Sequence, residues 1–167
     1  MSRLVISRRH LQTIELHGKT TYPEECCGVL IGRPAAGDGT TLVERLLSVD
    51  NERGDSRHNR YVISPETILA AQREARVAGL EIVGYYHSHP DHPARPSDFD
   101  REHAWPGLSY LIVSVERGQA VDARSWRLAD DRERFDEETL DPAHAGAVPG
   151  AAGAAAVPAI ARKEASR

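Results

Sequence analysis

The sequence predicts an α/β domain in which a mixed β-sheet is sandwiched by helices. Three observations carry this. Segments 26–31, 80–86 and 108–115 are almost continuously apolar, as strands covered on both faces are. A helix-forming segment rich in Ala, Leu, Gln, Glu and Arg lies between the first two of them. Segments 26–49 and 108–128 each divide at a turn cluster, so each yields a turn-linked pair of strands.

Residues 3–6 read as a short strand or lead-in. Ser7 is placed to cap a helix over residues 8–19, with Leu11 and Ile14 facing inward. Gly18 and the Thr20-Thr21-Tyr22-Pro23 stretch are expected to end it. Glu24 and Glu25 then precede the first apolar strand. Residues 34–39 form a turn cluster, and 40–49 read as the antiparallel partner. Residues 50–60 are a polar loop, and 61–63 a short strand. Ser64-Pro65-Glu66 is a helix start: a capping serine, proline at the first helical position and an acid in the first turn. That helix is expected to reach residue 77, with Gly79 closing it.

The strand over 80–86 brings His87-Ser88-His89 to its C-terminal end. Residues 90–96 contain three prolines and are read as irregular. Ser97 is placed to cap a short helix over 98–104. Residues 108–115 and 120–128 read as strands joined by a tight turn. The acidic stretch 130–140 offers Phe135 and Leu140 as anchors. From residue 141, Ala, Gly and Pro dominate. The expected organisation is one domain over 1–140 and a disordered tail over 141–167.

The 167 residues carry 21 basic and 25 acidic side chains, a formal net charge of -4. That balance gives no electrostatic footprint for nucleic acid or an anionic membrane. No apolar run approaches the roughly 18 residues of a membrane span, and the first residues lack the apolar core of a signal peptide. The only cysteines, Cys26 and Cys27, are adjacent, so no disulfide framework is implied. A reducing cytoplasm is the simplest compartment.

Residues two apart in a strand face the same side, so His87 and His89 present two imidazoles to one point while Ser88 turns away. Catalytic zinc commonly takes three protein ligands and keeps a fourth position open. Asp100, in the first turn of a helix capped by Ser97, is the natural third. Hydrolysis also needs an acid outside the ligand set to move the proton of water. Glu25 and Glu24 both stand at the mouth of a buried strand, and strand position alone does not separate them. The Ser97 hydroxyl fits either an oxyanion donor or a plain helix cap. His92 and His58 fit loop positions, and His103 a helix surface. The two cysteines read as packing rather than nucleophiles.

His87-Ser88-His89-Pro90, six residues, Ser97, two residues and Asp100 together resemble the JAMM motif of the MPN-domain (JAB) zinc metallopeptidases. Upstream, Glu25 followed by Cys26-Cys27-Gly28 and an apolar strand resembles that family's second element, a register that selects Glu25 over Glu24. The resemblance spans residues 3–138 and looks most like the compact bacterial members. It implies an MPN (cytidine-deaminase-like) fold, with Zn2+ held by His87, His89 and Asp100. It implies Glu25 as general acid/base and Ser97 as oxyanion donor. The implied activity is cleavage of peptide or isopeptide bonds at the Gly-Gly tail of a ubiquitin-fold sulfur-carrier protein. RadC-like proteins share the motif, but carry an extra N-terminal helical domain for which this chain has no room. A non-enzymatic zinc module would need a fourth ligand, for which Cys27 or His92 is available.

Overall fold

The computed structural model describes residues 1–34 and 37–143. The elements run β1 (Arg3–Ser7), α1 (Arg8–Thr21), β2 (Cys27–Arg33), β3 (Thr40–Val49), α2 (Pro65–Val77), β4 (Glu81–Pro90), α3 (Asp98–His103), β5 (Ser109–Glu116), β6 (Gln119–Leu128) and β7 (Phe135–Ala143). The sheet is mixed, as expected: β1 runs parallel to β3 and to β7, and β4 parallel to β5, while the other pairs are antiparallel.

The sandwich expectation holds in part. The strands close on themselves in the order β1-β3-β2-β4-β5-β6-β7. The closing strand is β7, where the sequence offered only an acidic stretch. Its charge is neutralised locally. Glu138 is buried, accepts from Ser125 Oγ at 2.7 Å and pairs with Arg127 Nε at 2.9 Å. Arg127 in turn donates to Thr41 Oγ1 on β3. Composition hides such a strand because its one inward acid brings its partner from β6. β7 continues to Ala143, three residues into the Ala/Gly/Pro-rich stretch; the rest of the expected tail lies outside the described residues.

Helices cover both faces of the sheet. On one face Ile14 of α1 packs with Leu4, Ile6, Cys26, Leu30, Tyr86, Leu111 and Val113. On the other, Ala71 and Ala75 of α2 pack on Cys27, Val29, Ile31 and Leu47. Gly18 does not end α1. It lies inside the helix, buried, where a Cβ would stand 3.0 Å from Val115 and 3.2 Å from Ser88. The missing side chain lets α1 settle on β4 and β5. Residues 61–63 form no strand: Tyr61 and Ile63 pack as coil against the second core. Among the described residues no helix is long and apolar enough to cross a membrane.

Candidate functional site

β4 reaches further than the apolar run suggests. His87, Ser88, His89 and Pro90 all pair with β5, opposite Ile112, Val113, Ser114 and Val115. Strand alternation then sorts the side chains. Tyr86 faces the α1 core. Ser88 points the same way, against Gly18. His87 and His89 face the opposite side.

His87 is fully buried, His89 and Asp100 nearly so. His87 Nε2 and His89 Nε2 stand 3.0 Å apart. Asp100 Oδ1 lies 3.2 Å from His87 Nε2, and Asp100 Oδ2 lies 3.4 Å from His89 Nε2. These three residues form a group able to hold a metal ion. The separations fit a cation: two ligands about 2.0–2.1 Å from a tetrahedral ion stand about 3.4 Å apart. The donor set of two imidazoles and one carboxylate suits zinc among other divalent ions. Neither Cys27 nor His92 joins the group. His92 is exposed, and only its carbonyl is engaged, by Ser114 Oγ at 2.6 Å. Among the described residues the set is therefore three ligands, the number typical of a catalytic site with an open position.

Hydrogen bonds orient His89 and Asp100, whereas His87 is held by stacking and its buried Nδ1 has no partner among the described residues. His89 Nδ1 bonds the Pro93 carbonyl at 2.9 Å, which puts the proton on Nδ1 and aims the Nε2 lone pair at the cluster. Tyr61 stacks on His87 with ring centroids 4.7 Å apart. Ser97 caps α3 as expected, and Asp100 occupies the N3 position of a reciprocal capping box. Asp100 Oδ2 accepts from Ser97 N at 2.7 Å and from Ser97 Oγ at 2.8 Å. The Ser97 hydroxyl thus rests on the ligand carboxylate.

Electrostatics follow burial and pairing. Burial disfavours the Asp100 carboxylate, but His87 and His89 outweigh it and hold the group well below the usual carboxylate range. Burial lowers His87. At His89 burial also opposes the charge, yet the bonds to Asp100 and Pro93 raise the imidazole.

Glu25 and Glu24 part company here. Glu24 is exposed, with its carboxylate 4.0 Å from Arg57. Glu25 is 4% exposed. Burial pushes its carboxyl up to about 8, opposed by the charge of His89 and reinforced by that of Asp100. Its electrostatic neighbours are thus two of the three residues of the cluster. Its backbone is held as well, with the Glu25 amide donating to Arg57 O at 2.7 Å and its carbonyl accepting from Asn51. The cysteines behave as packing: both are buried, and burial raises both thiols, that of Cys26 to about 11.

Sequence reasoning did not single out Tyr61, Pro93 or the role of Ser88. Their contributions are a stacked ring, a backbone carbonyl and an inter-strand bond, none of which leaves a mark in residue type alone.

Residues 7–129 match the family model described as prokaryotic homologs of the JAB domain. A desampylase from Haloferax volcanii is 38% identical over 112 residues, 66% of this chain and 76% of that protein. A CysO-cysteine peptidase from Mycobacterium tuberculosis is 29% identical over 128 residues, 76% of this chain and 84% of that protein. A protein of Desulfitobacterium hafniense, solved in solution, superposes with a TM-score of 0.72 at 32% identity, over 85% of this chain and 94% of that one.

Proposed function

Because the chain belongs to the prokaryotic JAB-domain family, we propose that it is a zinc-dependent peptidase acting at the C-terminal tail of a ubiquitin-like carrier protein. The observation that carries this is a buried acid, Glu25, set beside an open cluster of His87, His89 and Asp100. The relatives named as a desampylase and a CysO-cysteine peptidase support the substrate class.

His87, His89 and Asp100 would hold the metal. When bound, zinc supplies Lewis acidity at the scissile carbonyl and brings the ionisation of water near neutral pH. Glu25 accepts a proton from the attacking water and returns it to the leaving nitrogen. The peptide bond breaks to a carboxylic acid and an amine, which exchange the remaining proton to become carboxylate and ammonium, with no net change at Glu25. A carboxyl raised by burial is suited to both halves of that transfer. Ser97 steadies Asp100 through its hydroxyl, and its place beside the cluster makes it the candidate oxyanion donor once a substrate carbonyl arrives. The Gly-Gly tail of the carrier would lie extended along a strand edge. With two unpaired cysteines, the same reading places the protein in the cytoplasm.

The test is incubation of the zinc-loaded protein with ubiquitin-fold carriers bearing C-terminal extensions, followed by mass, with a chelator control. Chelator-sensitive loss of the extension is expected. Intact carriers under zinc-replete conditions would overturn the proposal.

A further inference from the structure

Beside the cluster lies a cavity of about 190 Å³, walled mainly by Tyr61, Ile63, Ile68, Tyr85, Phe99 and Trp105. Pockets that enclose whole small molecules run to roughly 300–1,000 Å³, so this one suits a single side chain. Asp100 lines it too. Asp100 thus belongs both to the cluster and to the cavity wall, so the cavity adjoins the place where a scissile carbonyl would sit.

Three guanidinium groups stand over aromatic rings of the wall. Arg60 lies 5.0 Å and Arg53 5.6 Å over the Phe99 ring, and Arg132 lies 5.7 Å over Trp105. Arg53 is paired with Asp55. Among the described residues, Arg60 and Arg132 form no ion pair, and Asp98, beside Phe99 in the sequence, lies 3.5 Å from Arg101. These guanidinium groups stand out on a chain of net charge -4. Trp105 itself is 66% exposed, a large ring left in water at the mouth. Tryptophan, tyrosine and arginine are the residue types that most often carry binding energy.

We infer that this cavity is a specificity pocket for a bulky apolar side chain on the leaving-group side of the scissile bond, flanked by acidic side chains. The inference rests on the peptidase function proposed above. The two glycines on the carrier side have no side chain to offer, so the leaving group fills the cavity. Its flanking carboxylates meet Arg60, over Phe99, and Arg132, over Trp105, one acid to each.

The probes are three peptides, acetyl-Gly-Gly-Phe-Glu-Glu-amide and its Ala-Glu-Glu and Phe-Lys-Lys counterparts. Binding is measured by calorimetry on the metal-free protein, where no turnover intervenes. The Phe-Glu-Glu peptide is expected to bind about ten-fold or more tighter than either counterpart, the discrimination an apolar pocket gives for a large side chain. Ile68→Trp, which fills the cavity, and Trp105→Ala, at an exposed site, should each erase the Phe-over-Ala preference. Arg60→Glu should erase the Glu-over-Lys preference. Equal affinities, no measurable binding, or a Phe preference surviving in a folded Ile68→Trp variant would each overturn the pocket. Cleavage of the same peptides by the zinc-loaded protein separates the two proposals. Cleavage without preference leaves the peptidase and removes the pocket, whereas selective binding without cleavage of peptides or carriers leaves the pocket and removes the peptidase.

Discussion

The Cys26 amide donates to the Ser88 hydroxyl at 2.8 Å, while the Ser88 amide donates to the Cys26 carbonyl at 3.2 Å. This pair extends the β2–β4 ladder one step past Cys27 and His87. It joins the residue after Glu25 to the residue between the two histidines. A side chain that faces away from the cluster thereby ties the strand start that carries Glu25 to the strand end that carries His87 and His89.

Ser88→Ala should therefore damage both stability and rate. It leaves a buried N–H unpaired, a loss of about 1–3 kcal/mol, and frees Glu25 to drift. We expect a lower unfolding midpoint and a fall in kcat of about ten-fold or more, because misplacing a catalytic group by a fraction of an ångström is costly. Zinc content should be retained, since none of the ligands is touched. Unchanged kcat in a folded Ser88→Ala protein would detach this pair from the placement of Glu25.

Glu25→Gln separates binding from chemistry. The amide preserves shape but neither accepts nor returns the proton, so turnover should fall by about 10²–10⁴. Metal content by elemental analysis should match the parent, because Glu25 is outside the three-residue cluster able to hold a metal. Activity close to the parent would remove Glu25 from the mechanism.

The same variant alters pH-dependent stability of the metal-free protein. Burial holds the Glu25 carboxyl at about 8 in the folded chain, against an ordinary 4.5. From about pH 4.5 to about 8 the folded state keeps a proton that the unfolded chain has released. The contribution of Glu25 is therefore full below pH 4.5 and is lost as pH rises through 8. Urea unfolding of the chelated protein across that range should show the loss, and Glu25→Gln should flatten it. Parallel pH profiles for parent and variant would show that Glu25 is not buried as described.

Much of the centre was legible because it is written in short-range spacing. His87 and His89 share a face by strand alternation, and Ser97 and Asp100 meet through a capping box three residues long. Glu25 was harder: strand position left it level with Glu24, the resemblance to the family's second element selected it, and burial separates the two in the fold. The fold was legible where apolar runs are long, at β2, β4 and β5. It was not legible at β7, whose inward acid is paid for by Arg127 from another strand. Gly18 misled for a related reason. A glycine near a helix end reads as a stop, yet this one is needed for close approach to Ser88 and Val115.

Gly28 gives a test of packing apart from chemistry. A Cβ there would stand 2.2 Å from the ring of Tyr86, which is fully buried and bonded to His17 and Ser48. The ring has no room to move, so Gly28→Ala should destabilise by about 1–3 kcal/mol or more. Gly54→Ala, with nothing within 4 Å of the added carbon, serves as the control and should leave the midpoint unchanged. Equal midpoints for the two variants would contradict the packing of Tyr86 against β2.

The loop over residues 91–97 makes a last prediction, because it holds His89 at a distance. Its Pro93 carbonyl fixes the His89 ring, and the loop is tied down on either side of that carbonyl. Ser114 Oγ donates to His92 O at 2.6 Å, and Trp126 Nε1 donates to Ala94 O at 3.0 Å. Trp126→Phe removes the second tie while keeping most of the ring. Outer groups that orient a ligand histidine are typically worth about 10–100-fold in metal affinity; acting one residue further out, Trp126 should sit at the low end, about ten-fold. Competition with a zinc chelator would measure it, and the His89 imidazole resonances would report whether the ring loses its single tautomer. His92→Ala, by contrast, leaves the backbone carbonyl in place and removes only an exposed ring, so zinc affinity should be unchanged. If His92→Ala weakened zinc as much as His89→Ala, His92 would be a fourth ligand, and the open position that the proposed chemistry requires would not exist.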